Sequence, residues 1–119
     1  MADQLKHWQG LKQQAIGGEM TLERDVGEAL ARECETLLDN LRRRKQQAKA
    51  LGSLAGYGGL PSANDIKGKF EKLATVEAVD RLDGLIEIAE LMRDTYLASI
   101  GKLTEQDQQT SQALGNAGS

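Results

Sequence analysis

The sequence predicts an all-α protein, an antiparallel helical hairpin of two long helices with a short helix before them. Leu, Ala, Glu, Gln, Lys and Arg dominate the 119 residues and aromatic residues make up only 3%, a composition typical of long helices rather than sheets. Apolar residues recur at helical steps in both halves of the chain. Between the halves lies a glycine-rich stretch that holds the only proline.

A chain of this length forms one domain with one modest core. We assign residues 1–110 to a single hairpin domain with its turn at about 52–62, and residues 111–119, which are small and polar, to a flexible tail. The single cysteine, Cys34, excludes an intramolecular disulfide. It lies among leucines in the apolar stripe of the first half of the chain, so we expect it in the core.

The short N-terminal helix is predicted over residues 3–16. Leu5, Trp8 and Ala15 repeat at helical spacing, with Leu11 or Lys12 between them. Gly17 and Gly18 then separate this segment from the first long helix.

The first long helix is predicted over residues 22–51. Thr21 is a suitable N-cap, and Gly52 supplies the C-terminal signal. Its apolar stripe, expected to face the other arm, consists of Leu22, Val26, Leu30, Cys34, Leu37, Leu41, Ala48 and Leu51.

The second long helix is predicted over residues 63–107, after a turn formed by Gly56, Tyr57, Gly58, Gly59 and Pro61. Glycine tolerates the backbone conformations that a chain reversal needs. The stripe of this helix consists of Ile66, Phe70, Leu73, Val79, Leu82, Ile86, Ala89, Met92 or Arg93, Tyr96, Ile100 and Leu103.

A difference in length predicts the position of the N-terminal helix. At about 1.5 Å per residue, the second long helix would extend roughly 65 Å and the first about 45 Å. The short helix would therefore continue the first arm beyond the glycine break, and would bring Trp8 close to Tyr96 and Ile100.

The residue types offer little for catalysis. His7 is the only histidine and is expected at the surface beside Trp8, and carboxylate pairs such as Asp80 and Asp83 are common on solvated helix faces. The Gly-Tyr-Gly-Gly segment lacks the spacing of a phosphate-binding loop. We therefore predict no catalytic residue, no cofactor and no metal site.

Charge and hydropathy narrow the set of partners. The net charge is −3, yet a basic cluster surrounds the predicted turn, formed by Arg42, Arg43, Arg44, Lys45, Lys49, Lys67, Lys69 and Lys72. Nucleic-acid binding by this cluster is a rival hypothesis, testable by its salt dependence, whereas a solvated face is the simpler interpretation. No run of about 18 apolar residues occurs, so we expect no membrane insertion.

The second long helix carries more apolar surface than one opposing helix can cover. Leu85, Ile88 and Leu91 widen its stripe. A protein partner, or a second copy, would cover this surface and produce a four-helix bundle. The predicted interface residues are Trp8, Leu82, Leu85, Ile86, Ile88, Leu91, Met92 and Tyr96.

Three segments follow a recognisable pattern: Gly56-Tyr57-Gly58 before Pro61-Ser62, then Phe70-Glu71-Lys72, then Met92-Arg93-Asp94 with Tyr96. In this pattern the chain resembles the small actinobacterial WXG-like (Trp-x-Gly) proteins of ESX, or type VII, secretion. The similarity covers roughly residues 19–110 and includes an aromatic residue between glycines before Pro-Ser, a Phe-Glu-Lys segment and a Met-Arg-Asp-aromatic segment. The matching residues are Gly56, Tyr57, Gly58, Pro61, Ser62, Phe70, Glu71, Lys72, Met92, Arg93, Asp94 and Tyr96.

This sequence also departs from the family pattern. The family's Trp-x-Gly lies in the turn, whereas Trp8-Gln9-Gly10 lies near the N-terminus, and the Tyr-x-x-x-Asp/Glu export signal is missing because Ile100 follows Tyr96 at the fourth position. The resemblance therefore implies a partner that carries the signal.

We expect a non-enzymatic partner, escort or co-secreted subunit of a type VII secretion substrate. Such a protein would be cytoplasmic, or exported only with its partner. The alternative is a cytoplasmic antitoxin, immunity-type or regulatory adaptor.

Overall fold

The computed structural model describes residues 1–55 and 63–102 of the chain, and the side chains of residues 1–51 and 68–102. Three helices follow in order, α1 (Ala2–Ile16), α2 (Arg24–Ala55) and α3 (Ala63–Ser99), and the described residues contain no strand. The predicted all-α class, with two long helices and a short leading one, is confirmed. The predicted turn residues Gly56, Tyr57, Gly58, Gly59 and Pro61, together with the tail, lie outside the described residues.

Helices α2 and α3 pack against each other in an antiparallel register, as the sequence predicted. Near one end, Gly27 lies against Ile100. Further along, Arg93 Nη1 lies 3.3 Å from Glu35 Oε1, and Lys45 Nζ lies 2.6 Å from Asp83 Oδ1. From each of these pairs to the next, the residue number rises on α2 and falls by nearly the same amount on α3. The two helices are therefore antiparallel and keep one register over this length.

The core between these helices is narrow and built partly from small residues. Leu38, Leu41 and Ala89 form its central cluster, with Leu82 and Ile86 packed against it. Ala31 and Cys34 are also buried, which confirms the expected core position of the cysteine.

Part of the predicted α2 stripe does not face the core. Val26, Leu37 and Leu51 are 43%, 42% and 65% exposed. The buried side is rotated toward Gly27, Ala31 and Leu38, since small residues let α3 approach closely and one leucine fills the remaining space.

Helix α1 runs in a direction that the sequence analysis did not predict. Met1 lies over Gly84 and Lys12 pairs with Asp94, so α1 is parallel to α3 and does not continue the first arm. Gly18 makes the reversal possible with φ 81°, and the N–H groups of Gly18 and Glu19 bond to the carbonyls of Ala15 and Gln14. This is the Schellman arrangement of a helix C-terminus.

The boundaries of the long helices differ from the predicted ones. Helix α2 begins at Arg24 rather than residue 22, which overturns Thr21 as its N-cap, and continues through Gly52 to Ala55, because one glycine costs a helix only about 1 kcal/mol. Helix α3 ends at Ser99 instead of 107. Gly101 adopts φ 78°, and the N–H groups of Gly101 and Lys102 bond to the carbonyls of Ala98 and Leu97, which ends the helix.

None of the helices in the described part of the chain combines the length and the apolar character needed to cross a membrane.

Candidate protein-binding site

The side of α3 that faces α2 carries Leu82, Ile86 and Ala89 and continues toward the N-terminus of α3 until α2 ends at Ala55. Thr75, Val79 and Leu82 recur on this side at helical spacing, Gly68 continues the same line beyond the end of α2, and all four are half-buried. Three of these four residues are small or carry a β-branched side chain. The close approach of the two helices therefore leaves the largest apolar side chains of this half on another side.

A second side of α3 is covered by α1. Trp8 and Tyr96 meet edge to face with ring centroids 5.9 Å apart, and Lys12 Nζ lies 3.5 Å from Asp94 Oδ2. The predicted proximity of Trp8 and Tyr96 is confirmed, whereas Ile100 instead packs against Gly27 of α2.

Thr95, which stands between Asp94 and Tyr96 in α3, is completely buried. Its hydroxyl donates to the carbonyl of Leu91 at 2.7 Å, so the buried oxygen has a partner. Ala98 and Ser99, one turn further on, are also buried. Small side chains thus cover the side of α3 on which α1 lies. We call Thr95, Ala98 and Ser99 the bed of α1.

Charged side chains connect all three helices beside this bed. Arg93 of α3 pairs with Glu35 of α2 and with Asp94, and Asp94 pairs with Lys12 of α1. Burial disfavours the charged form of Arg93, but the carboxylates of Asp94 and Glu35 outweigh this effect and raise the pKa of Arg93. Lys12 is 8% exposed, so the ion pair with Asp94 compensates a largely desolvated ammonium group.

The eight predicted interface residues do not form one exposed surface. Leu82 and Ile86 pack on the core cluster, and Trp8 and Tyr96 contact each other. The remaining four are Ile88, Leu91 and Met92, which are half-buried, and Leu85, which is 43% exposed. Because α1 lies along the same part of α3, the chain itself shields a share of the surface that two helices alone would leave open.

The most exposed apolar side chains of α3 lie closer to its N-terminus. Phe70 is 69% exposed, Leu73 62% and Val76 57%. We call these three residues the outer stripe. The sequence pattern predicts Phe70 and Leu73 on the side that faces α2, and it does not distinguish Val76.

The helical period relates the outer stripe to the bed of α1. Ile88 follows Phe70, and Leu91 follows Leu73, after 18 residues, which is about five complete turns. Phe70 and Leu73 therefore lie on the same side of α3 as the residues beside α1, but beyond its end, since Met1 lies at Gly84. This spacing was the signal in the sequence that could have identified them.

The buried titratable groups give no sign of an activated nucleophile. Burial raises the pKa of the Cys34 thiol, an effect that the nearby Arg93 only partly offsets. Burial likewise raises the pKa of Tyr96. In the described part of the chain, no group of three or more His, Cys, Asp and Glu side chains is arranged to hold a metal ion.

Comparison of the chain with protein-family models, curated proteins and solved structures finds no match.

Proposed function

We propose that this protein is a non-enzymatic binding protein that pairs with another helical protein through α3. One observation carries the proposal: α3 turns Phe70, Leu73 and Val76 toward solvent, while Gly68 and Thr75 lie on its α2 side. A helix packed only within its own chain would place its large apolar residues on the inner side.

Covering this surface would contribute favourably to binding. Full burial of a Val, Leu or Phe side chain is worth roughly 1.5–3 kcal/mol each, and less for these partly covered residues. Contiguous exposed apolar residues on a soluble domain mark interaction surfaces more often than single scattered ones do. Leu85, which is 43% exposed, adds an apolar side chain on a neighbouring side of α3 near the end of α1.

We further propose that the partner is a helical hairpin that packs on the side of α3, so that the pair forms a four-helix bundle. The resemblance to WXG-like proteins supports a type VII secretion substrate as that partner, with this chain as its escort or co-secreted subunit. Because the Tyr-x-x-x-Asp/Glu signal is missing from this sequence, the partner would have to carry it, and the protein alone would remain in the cytoplasm.

The alternative is an antitoxin or immunity-type adaptor, and the exposed acidic residues of α3 favour it. Asp80, Asp83 and Glu87 are exposed, and Asp83 is paired with Lys45 of α2. A basic toxin surface would complement such a row. Appearance of the protein in culture medium together with its partner supports the secretion role, and retention in the cell while the partner leaves contradicts co-secretion.

The test begins with co-purification from the native host and identification of the bound chain, followed by calorimetric titration of the two purified proteins. Leu85→Asp should weaken binding at least about tenfold, which is about 1.4 kcal/mol. Leu37→Asp on α2 is the matched control, because Leu37 is 42% exposed and Leu85 43%. Equal affinities of the wild type and Leu85→Asp would remove α3 from the interface.

A further inference from the structure

We infer that the outer stripe pairs with the outer stripe of a second copy of this chain, with the two α3 helices antiparallel. The inference rests on the proposed function only in taking the outer side of α3 as a helix-binding surface. A second copy and the partner proposed above would compete for this side of α3, so the partner would bind the dissociated monomer. Self-association and heterologous binding are measured in separate experiments, so the two proposals fail separately.

The order of charges along this side of α3 favours a second copy. Lys69 lies beside Phe70 at the N-terminal end of the stripe with Lys72 at its margin, and Glu77 and Asp80 follow Val76 at the other end with Arg81 at the opposite margin. All five charged residues are exposed, and none forms an ion pair or hydrogen bond with another residue that the structure describes.

Along α3 the order is positive, then apolar, then negative. Two copies of this helix laid side by side in opposite directions therefore place opposite charges next to each other. When two copies pack with α3 antiparallel, the lysines of each copy approach the carboxylates of the other, and Leu73 lies near the two-fold axis. A parallel arrangement would bring like charges together, which is unfavourable. The sequence of this one helix therefore specifies both the partner and its direction.

Free space on α3 also suits such a contact. Helix α1 reaches only to Gly84, where Met1 lies, so among the described residues no third helix lies over the side that carries Phe70 and Leu73. A helix of the second copy would occupy, on residues 69–80, the position that α1 occupies on residues 84–98. Because the contact is one short helix against another, the dimer should dissociate on dilution.

The first experiment is sedimentation equilibrium of the full chain from low micromolar to near-millimolar concentration. We expect a reversible monomer–dimer equilibrium that Leu73→Asp weakens at least tenfold and that the control Leu37→Asp leaves unchanged. Both side chains are exposed, so both variants should keep the far-UV circular dichroism and urea midpoint of the wild type. A wild type that remains monomeric throughout, or a dimer that Leu73→Asp leaves intact, overturns the inference.

The second experiment tests the antiparallel direction by exchanging charges. The variant Lys69→Glu/Lys72→Glu and the variant Glu77→Lys/Asp80→Lys should each fail to self-associate, whereas their equimolar mixture should form a dimer. Self-association of either variant with wild-type strength contradicts the antiparallel pairing, and a mixture that stays monomeric contradicts charge pairing between the two copies. The partner proposal is judged separately, by the response of heterologous binding to Leu85→Asp.

Discussion

Trp8 of α1 and Tyr96 of α3 meet edge to face, with ring centroids 5.9 Å apart and an interplanar angle of 72°. This is a preferred geometry for an aromatic pair. Trp8 is the only tryptophan, so its fluorescence reports whether α1 is docked on α3.

The first prediction concerns this aromatic pair. Tyr96→Ala should shift the Trp8 emission to longer wavelength and lower the free energy of unfolding by about 2 kcal/mol, because it leaves a gap beside a half-buried ring. Fluorescence-monitored urea unfolding measures both effects. His7→Ala is the control, since His7 contacts Trp8 from the solvent side and its loss should change stability by less than about 0.5 kcal/mol.

The second prediction concerns the ion pair between Lys12 and Asp94. Asp94→Asn should cost about 2 kcal/mol because it leaves a nearly buried ammonium group without its carboxylate. Lys12→Met should cost less than about 1 kcal/mol, since Met keeps the packing of the stem and Asp94 retains Arg93 at 3.1 Å. Chemical denaturation distinguishes the two, and equal losses would show that the pair is not the source of the effect.

The existence of the three helices follows from the sequence, but the direction of α1 does not. Gly17 and Gly18 allow the chain either to continue or to reverse, and a hydrophobic period is the same in both directions. The direction of α1 depends on the bed formed by Thr95, Ala98 and Ser99, on which the helix packs. Its residues are small or polar and gave no apolar signal of their own.

The sequence pattern predicts Phe70 and Leu73 on the wrong side of α3 for a related reason. Helix α3 carries apolar residues on more than one side, so the period alone cannot determine which side faces α2. The structure selects the side that contains Gly68, Thr75 and Val79, and this leaves Phe70 and Leu73 outside. The predicted core position of Cys34 is correct. The proximity of Trp8 to Tyr96 is also correct, although it was predicted from a continued first arm and arises instead from the reversed α1.

The third prediction compares two glycines inside helices. A Cβ at Gly27 would meet the side chain of Ile100 and lie 3.4 Å from the Tyr96 carbonyl oxygen. Gly27→Ala should therefore lower stability by about 1–2 kcal/mol, despite the better helix propensity of alanine.

Gly84→Ala provides the contrast. Its Cβ would meet only the Met1 side chain, which is 54% exposed and can move away. This variant should be neutral or up to about 1 kcal/mol more stable. Thermal unfolding of both variants tests the pair, and a stabilising Gly27→Ala would contradict the close approach of α2 and α3.

The fourth prediction concerns the reactivity of Cys34. The thiol is buried and its pKa is raised by burial, so alkylation in the native protein should be at least about 100-fold slower than that of glutathione at the same pH. Reaction should become complete in urea. Rapid alkylation without denaturant would mean that α2 and α3 separate easily.

The fifth prediction concerns the contact between the first turn of α2 and the end of α3. Lys102 donates to Glu28 Oε1 at 2.8 Å, and this hydrogen bond lowers the pKa of Glu28 below its ordinary value of 4.5. A carboxyl group with a lowered pKa stabilises the fold at pH values above 4.5, and this contribution is lost as the pH falls through the folded value.

Wild type and Glu28→Gln should therefore differ in urea midpoint at neutral pH, by a small amount because the pair is solvent-exposed. The difference should shrink as the pH falls through the lowered pKa of Glu28 in the folded protein and disappear below it. A difference that stays constant across this range would assign the effect to packing instead of charge.

The parallel course of α1 and α3 bears on how the protein can be handled. Since Met1 lies over Gly84, any tag or fluorophore attached to the first residue would lie about halfway along α3, next to Leu85 and near the outer stripe. A label carried by the side chain of Lys102 would instead lie beside Glu28, at the end of α3. Capture experiments with the two placements can thus give different answers from the same polypeptide, since only the label at the first residue lies near the candidate surface.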